Sequence, residues 1–188
     1  MTDLSRALVP RSEWLLDPDI SFLNHGSYGA VPRIVLDEQH RSQQRMERNP
    51  TEFLALELPH ALRVAANRLA KFIKGVGSDL VFIENATAGC NVVLGSVRLS
   101  PGDEILVTDH GYPAIRKAAE HHASSTGAIV IEATMPFPVS NPIEIVNAVA
   151  ARLGPRSRLV ILDHVTSPTA YGQKIKSIRK SGNYLIPA

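Results

Sequence analysis

Three short stretches of this 188-residue chain gather side chains that can do chemistry: ENATAGCN at 84–91, DHGY at 109–112 and DHVTS at 163–167. In the first, small residues stand between two apolar runs, which lets a ligand come close to the backbone. Ala86, Thr87 and Ala88 fall where an apolar run gives way to a helix, and the first N–H groups of a helix have no partner inside it. They form a partly positive end that suits an anion such as phosphate, and the Thr87 hydroxyl can add a bond. The competing reading is an ordinary N-cap by Asn85 or Thr87. In the second stretch, Tyr112 can stack on a planar ring, and His110 can stack or move a proton; equally, Asp109 and Gly111 suit a turn and Pro113 a helix start. In the third, His164, Thr166 and Ser167 can bond a ligand oxygen, or His164 can be a satisfied histidine at a strand end.

Other chemistries find little support. No paired acids, no nucleophile elbow and no G-x-G-x-x-G fingerprint occur. His121-His122 sits within a helical stretch without a third ligand, so no metal site is expected. Cys90, the single cysteine, reads as a buried structural thiol and offers no disulfide.

The elements that must position these stretches follow from periodicity. Residues 1–18 read as an irregular arm, and FLNHGSYGAVP (22–32) as an extended piece entering a glycine-rich turn. A surface helix is expected over 33–48, broken at Asn49-Pro50. A second follows over 59–74, with Leu62, Ala65, Ala66, Leu69, Phe72 and Ile73 at helical spacing, stopped by Gly75 and Gly77. From there strands at 80–83, 105–108, 128–133 and 158–165 alternate with helices at 88–97, 113–125 and 143–152. That alternation predicts an α/β fold: a three-layer domain whose mainly parallel sheet carries helices on both faces. Ligands of such sheets sit beyond the carboxyl ends of the strands, where all three stretches are expected to converge. The reading divides the chain into an arm (1–32), a helical segment (33–78), a partial α/β domain (79–169) and a basic tail (170–188). The tail, with Lys174, Lys176, Arg179 and Lys180, offers no further buried strand and would leave a sheet edge uncovered.

Composition sets broad limits. An apolar content of 44% and a charged content of 20% fit an ordinary globular protein, and a net charge of +2 is too small to argue for nucleic acid or an anionic membrane. No stretch approaches 18 consecutive apolar residues, and the first residues lack the apolar core of a signal peptide, so a cytoplasmic setting is expected.

The order and spacing of FLNHGSYGAVP, RNPTEF, ENATAGCN, DHGYPA and DHVTSPT resemble the class V aminotransferase family, the fold-type I pyridoxal-phosphate enzymes, and within it the isopenicillin N epimerase-like branch. Cysteine desulfurases are more distant. The resemblance covers about residues 14–170. It implies pyridoxal 5'-phosphate as cofactor, with Ala86, Thr87 and Ala88 around its phosphate. It also implies Tyr112 or His110 stacked on the ring, His164 to Ser167 near the ring hydroxyl, and Asn24, His25 and Gly26 at the substrate end. The implied substrate is a small amino acid, and the implied chemistry is of the epimerase, aminotransferase or desulfurase type. The family also uses an aspartate at the pyridine nitrogen and a Schiff-base lysine. After Thr169 the chain shows no matching context for either: Lys174, Lys176 and Lys180 come too early, and Asp163 is not that aspartate. The tail therefore reads as truncated or frame-shifted, no catalytic residue is assigned, and the cofactor is expected to bind non-covalently at best. The implied partner is a second copy or a full-length relative. Two other readings stand beside this one, a non-catalytic remnant that associates with such a relative and a generic nucleotide-binding domain.

Overall fold

The computed structural model describes residues 9–172 and 184–187. The chain forms two compact units, Met1–Phe82 and Ile83–Ala188.

The first unit is helical. Helix α1 (Arg33–Arg48) starts after Pro32, whose carbonyl accepts the N–H groups of Val35 and Leu36. Asn49 leaves the helical conformation at φ −153° and caps the next turn by accepting the Glu52 N–H. The short α2 (Pro50–Glu52) runs through a π-helical turn (Phe53–Glu57) into α3 (Leu58–Ile73). Lys74 ends α3 in the left-handed region, φ 60°. Of the apolar stripe expected on this helix, Ala66 is buried, whereas Leu62, Leu69, Phe72 and Ile73 remain 39–85% exposed.

The second unit carries the sheet. Strands β1 (Glu104–Thr108), β2 (Ile129–Ala133), β3 (Ser157–Leu162) and β4 (Tyr184–Pro187) lie in the order β2-β1-β3-β4, all parallel. Right-handed crossovers are the rule for such pairs, and α4 (Ala86–Ser96), α5 (Pro113–Thr126) and α6 (Pro142–Ala150) supply the two outer layers. Strand alternation sorts the core. Ile105, Val107, Leu159 and Ile161 face Cys90 and Leu94 of α4 and Ile115, Ala119 and Ala123 of α5. Leu106, Val160 and Leu162 face Val146 and Val149 of α6. The α/β three-layer expectation therefore holds. Gly127 closes α5 at φ 73°, where a side chain would also meet Pro101 at 3.2 Å, so both torsion and space call for glycine.

Two expectations are corrected. Residues 80–83 do not form a strand: Leu80 has extended torsions, but Val81, Phe82 and Ile83 are 76%, 49% and 44% exposed and pair with no other strand. An apolar run supplies strand propensity, yet a strand needs a neighbour for its backbone groups. Conversely, the tail does contribute a strand, because β4 pairs with β3 from Leu159↔Tyr184 to Leu162↔Pro187 and covers the edge expected to be open. The run Tyr-Leu-Ile-Pro ends in a residue without an N–H, which an edge strand tolerates. Lys174, Lys176, Arg179 and Lys180 lie outside the described residues.

Candidate functional site

The polar groups of the second unit divide between the two ends of the sheet. At the amino end, Ser157 donates to Glu104 Oε2 at 3.0 Å and accepts the Gly154 N–H, and Arg158 meets Asp103 at 3.1 Å. These contacts close strand starts and are structural. The carboxyl end carries the segments singled out in the sequence.

After β1, the Asp109 carboxylate accepts the Met135 N–H at 2.9 Å, tying this loop to the one after β2. His110 is half-buried; its Nδ1 lies 3.1 Å from Thr169 Oγ1, and its ring meets Phe137 edge-on at 5.6 Å. Thr169 Oγ1 lies 2.8 Å from Thr166 Oγ1, and Thr166, only 1% exposed, accepts the Tyr171 N–H. His110 is thus fastened to the loop after β3. The Tyr112 side chain makes no such hydrogen bond among the described residues and is 48% exposed just ahead of α5.

After β3, alternation puts Asp163 on the face of Leu159 and Ile161, toward α4 and α5. It is 8% exposed. Burial pushes its carboxyl above the usual range, and the backbone N–H groups of Tyr112 and Ser167 pull it partly back. Burial raises the Cys90 thiol, and the nearby Asp163 charge raises it further. Cys90 packs with Leu94 in the core layer of Ile105, Val107, Leu159 and Ile161. His164 and Ser167 are exposed.

At the start of α4 the N-cap reading holds. Asn85, extended at φ −163° and ψ 167°, caps the helix by accepting the Ala88 N–H at 2.8 Å. Ala86 and Thr87, the first two helical residues, keep N–H groups that no helical carbonyl can reach. Ala86 is exposed and Thr87, Ala88 and Gly89 are half-buried. After the Asn85 cap, the Ala86 and Thr87 amides and the Thr87 hydroxyl have no hydrogen bond to another described residue, and the Ile83 side chain lies 3.6 Å from where a Cβ on Gly89 would stand. On the other face of β1, that of Leu106, the Thr108 hydroxyl is 3% exposed and has no hydrogen-bond partner among the described residues, an unusual state for a buried polar atom.

His110 and Tyr112 thus follow β1, and His164 and Ser167 follow β3, at the carboxyl end of the sheet, while Ala86, Thr87 and Ala88 open α4 in the same unit. Asn24, His25 and Gly26 belong to the first unit, where the His25 ring packs edge-on against Phe22 at 4.8 Å and near Trp14. Sequence reasoning passed over Thr169 and set Asp163 aside. The alternating burial of β3 is the signal that turns Asp163 inward; nothing local marks Thr169. Among the described residues of the second unit the single lysine is Lys117, exposed on α5. Among the described residues no cluster of three His, Cys, Asp or Glu could hold a metal, and no helix is long and apolar enough to cross a membrane.

Comparison with known proteins gives a consistent result. The family model for aminotransferase class-V matches residues 29–184. Isopenicillin N epimerase of Amycolatopsis lactamdurans is 38% identical over 162 residues, covering 85% of this chain and 40% of the epimerase. A probable chloroplastic L-cysteine desulfhydrase of Arabidopsis thaliana is 30% identical over 178 residues, covering 87% of this chain and 38% of that protein. Among solved structures, the cystine C-S lyase C-DES in complex with cysteine persulfide superposes with a TM-score of 0.76 at 23% identity, over 89% of this chain and 45% of that one. The likeness is one of fold. The chain spans about 40% of the length of the curated relatives it matches.

Proposed function

The chain belongs to the class-V aminotransferase family, and on that premise we propose that it is the N-terminal part of a pyridoxal-phosphate-dependent enzyme, with the cofactor seated at the carboxyl end of the β2-β1-β3 sheet. The carrying observation is the start of α4, where the N–H groups of Ala86 and Thr87 and the Thr87 hydroxyl are left for an anion after Asn85 has capped Ala88. These donors bind the phosphate. Tyr112 covers the ring face, a role favoured over His110 because His110 is already held by Thr169 and Phe137. His164 and Ser167 approach the ring hydroxyl. Asn24, His25 and Gly26 are assigned to the substrate end by family resemblance alone.

When bound, the cofactor supplies an electron sink for the α-carbon of an amino acid. The substrate is accordingly a small amino acid handled by epimerase, aminotransferase or desulfurase chemistry. This chain contributes binding and orientation. No lysine of the sequence stands in the family's matching context, so the cofactor is held non-covalently and turnover by this chain alone is low. The chain is further proposed to associate with itself or with a longer relative in the cytoplasm.

Equilibrium dialysis of the purified chain against pyridoxal phosphate, pyridoxal and ATP tests the reading. Saturable binding of pyridoxal phosphate, with at least tenfold preference over both others, is the expected result. Equal binding of pyridoxal removes the phosphate cradle, and preference for ATP favours a nucleotide-binding domain. Borohydride treatment with peptide mapping is expected to leave every lysine unlabelled; a labelled lysine overturns the non-covalent assignment.

A further inference from the structure

Three loops at the carboxyl end of the sheet meet on one side chain. His110, in the loop after β1, packs its ring edge-on against Phe137 of the loop after β2 at 5.6 Å. Its Nδ1 lies 3.1 Å from the Thr169 hydroxyl in the turn after β3. That turn is closed on itself: the Thr166 N–H donates to the Tyr171 carbonyl at 3.0 Å, the Ala170 N–H donates to the Thr166 carbonyl at 2.9 Å, and Val165 bridges Gly172. Its hydroxyls also run in one direction. Thr166, 1% exposed, accepts the Tyr171 N–H at 2.9 Å. Its own hydrogen has two acceptors in reach, the Thr169 hydroxyl at 2.8 Å and the Tyr171 carbonyl at 3.4 Å. The nearer one takes it, because the carbonyl is farther off than O–H donors usually reach and already accepts the Thr166 N–H. Thr169 therefore accepts from Thr166 and keeps its hydrogen for His110 Nδ1. A ring nitrogen that accepts carries no hydrogen, so the neutral ring carries it on Nε2.

We propose that Thr169, directed by Thr166, is a positioning residue that fixes His110 in the tautomer with hydrogen on Nε2, and so makes this histidine a hydrogen-bond donor to an oxygen of the bound ligand. Among the described residues Nε2 has no hydrogen-bond partner, although the ring is half-buried. The donor is thus the free end of a chain that starts at the Tyr171 N–H and passes through two hydroxyls. Phe137 holds the ring edge, so the donor is aimed before the ligand arrives, and less freedom is lost on binding. The role is separate from covering the cofactor ring, which falls to Tyr112. The oxygen belongs either to the cofactor or to the carboxylate of the amino acid; both ask for the same N–H donor. The proposal rests on the cofactor reading above for what the donor meets, and on the hydroxyl chain alone for the tautomer.

The test uses the full chain and the variants Thr169→Val, which keeps the shape of threonine without its hydroxyl, and Thr169→Ser, which returns the hydroxyl. Nitrogen-15 NMR of the neutral His110 ring, read through couplings to its carbon-bound protons, reports which nitrogen carries hydrogen. The parent chain is expected to show it on Nε2. Thr169→Val is expected to raise the proportion with hydrogen on Nδ1 about fivefold, the worth of one neutral hydrogen bond, and Thr169→Ser to return it to the parent value. If Thr169→Val fails to fold, Thr169→Ala takes its place with the same expectation. Hydrogen on Nδ1 in the parent, or an unchanged ratio in the variant without the hydroxyl, overturns the proposal. Pyridoxal phosphate is then added alone and together with L-alanine, with binding measured by dialysis. A saturable shift of Nε2 with the cofactor alone assigns the oxygen to the cofactor, and a shift that needs both assigns it to the amino-acid carboxylate. Measured binding that leaves Nε2 unmoved in both arms overturns the donor role. A parent chain that binds no pyridoxal phosphate, with the tautomer and its response as stated, refutes the cofactor reading and upholds the hydroxyl chain.

Discussion

Replacing Ala86 by proline would remove a single N–H donor from the start of α4 and almost nothing else. Ala86 is the first helical residue, the position at which proline is tolerated because its missing N–H has no helical partner. The preceding Asn85 is already extended at φ −163° and ψ 167°, as a residue before proline should be. Folding stability should therefore hold or rise by up to about 1 kcal/mol through the stiffer unfolded chain. Phosphate binding should not hold. One hydrogen bond to a charged group is worth roughly 1.5–3 kcal/mol, which corresponds to an affinity roughly 10- to 150-fold weaker. Thr87 and the helix dipole remain, so binding should weaken and not vanish. Isothermal titration calorimetry with pyridoxal phosphate measures the loss, and thermal unfolding checks the fold. A variant that melts like the parent and binds pyridoxal phosphate equally well would refute the reasoning, because the donor would then be shown to face no phosphate.

Other consequences follow from the core, the turn and the buried carboxylate. Leu159→Ala empties a fully buried site shared by β3 and the α4–α5 layer and should cost about 2–5 kcal/mol in urea unfolding; a loss below 1 kcal/mol, by the same scale, would mean the site collapses freely. Ala170→Gly relieves a left-handed torsion at φ 50° and should stabilise the second unit by about 1 kcal/mol, seen as a higher urea midpoint. For Asp163 the sign runs opposite to that of a paired carboxylate. Its folded pKa lies above the ordinary 3.8, so the native state holds the proton more tightly than the unfolded chain, and native stability falls as pH rises from near 3.8 through the folded value. Asp163→Asn stays neutral, so its stability relative to the parent should climb with pH across that window and then level off. A difference that is flat or declines with pH contradicts this sign.

The helical parts were legible because their cues are local. Pro32 and Asn49-Pro50 bracket α1, and Asn85, Tyr112-Pro113 and Asn141-Pro142 announce α4, α5 and α6. The sheet was legible where apolar runs alternated with helices, since β1 and β2 each lie between two helical segments and β3 follows α6. It misled where pairing depends on what is far away. Val81, Phe82 and Ile83 have strand-like side chains but no neighbour, while Tyr184 to Pro187, inside a stretch read as polar and basic, found the open edge of β3. The apolar stripe of α3 was equally visible as a pattern, yet Phe72 stands 85% exposed, because periodicity reports which residues share a face and not what covers it. In the candidate site, Ala86, Thr87 and Tyr112 are nominated by residue type and position alone. Thr169 could not, because its meaning comes from an approach to His110 across 59 residues of sequence. Asp163 lay between these cases: strand alternation makes its inward turn visible, whereas the burial that raises its pKa depends on packing by distant elements.

The most direct test of the central claim is a nitrogen-15 NMR titration of the whole chain with pyridoxal phosphate and, separately, with pyridoxal. The account predicts that the backbone amides of Ala86 and Thr87 shift strongly and saturably with pyridoxal phosphate, that Tyr112 and Ser167 shift with them, and that pyridoxal leaves Ala86 and Thr87 nearly still. Saturable binding that leaves these two amides unmoved, or moves them equally with both compounds, would contradict it.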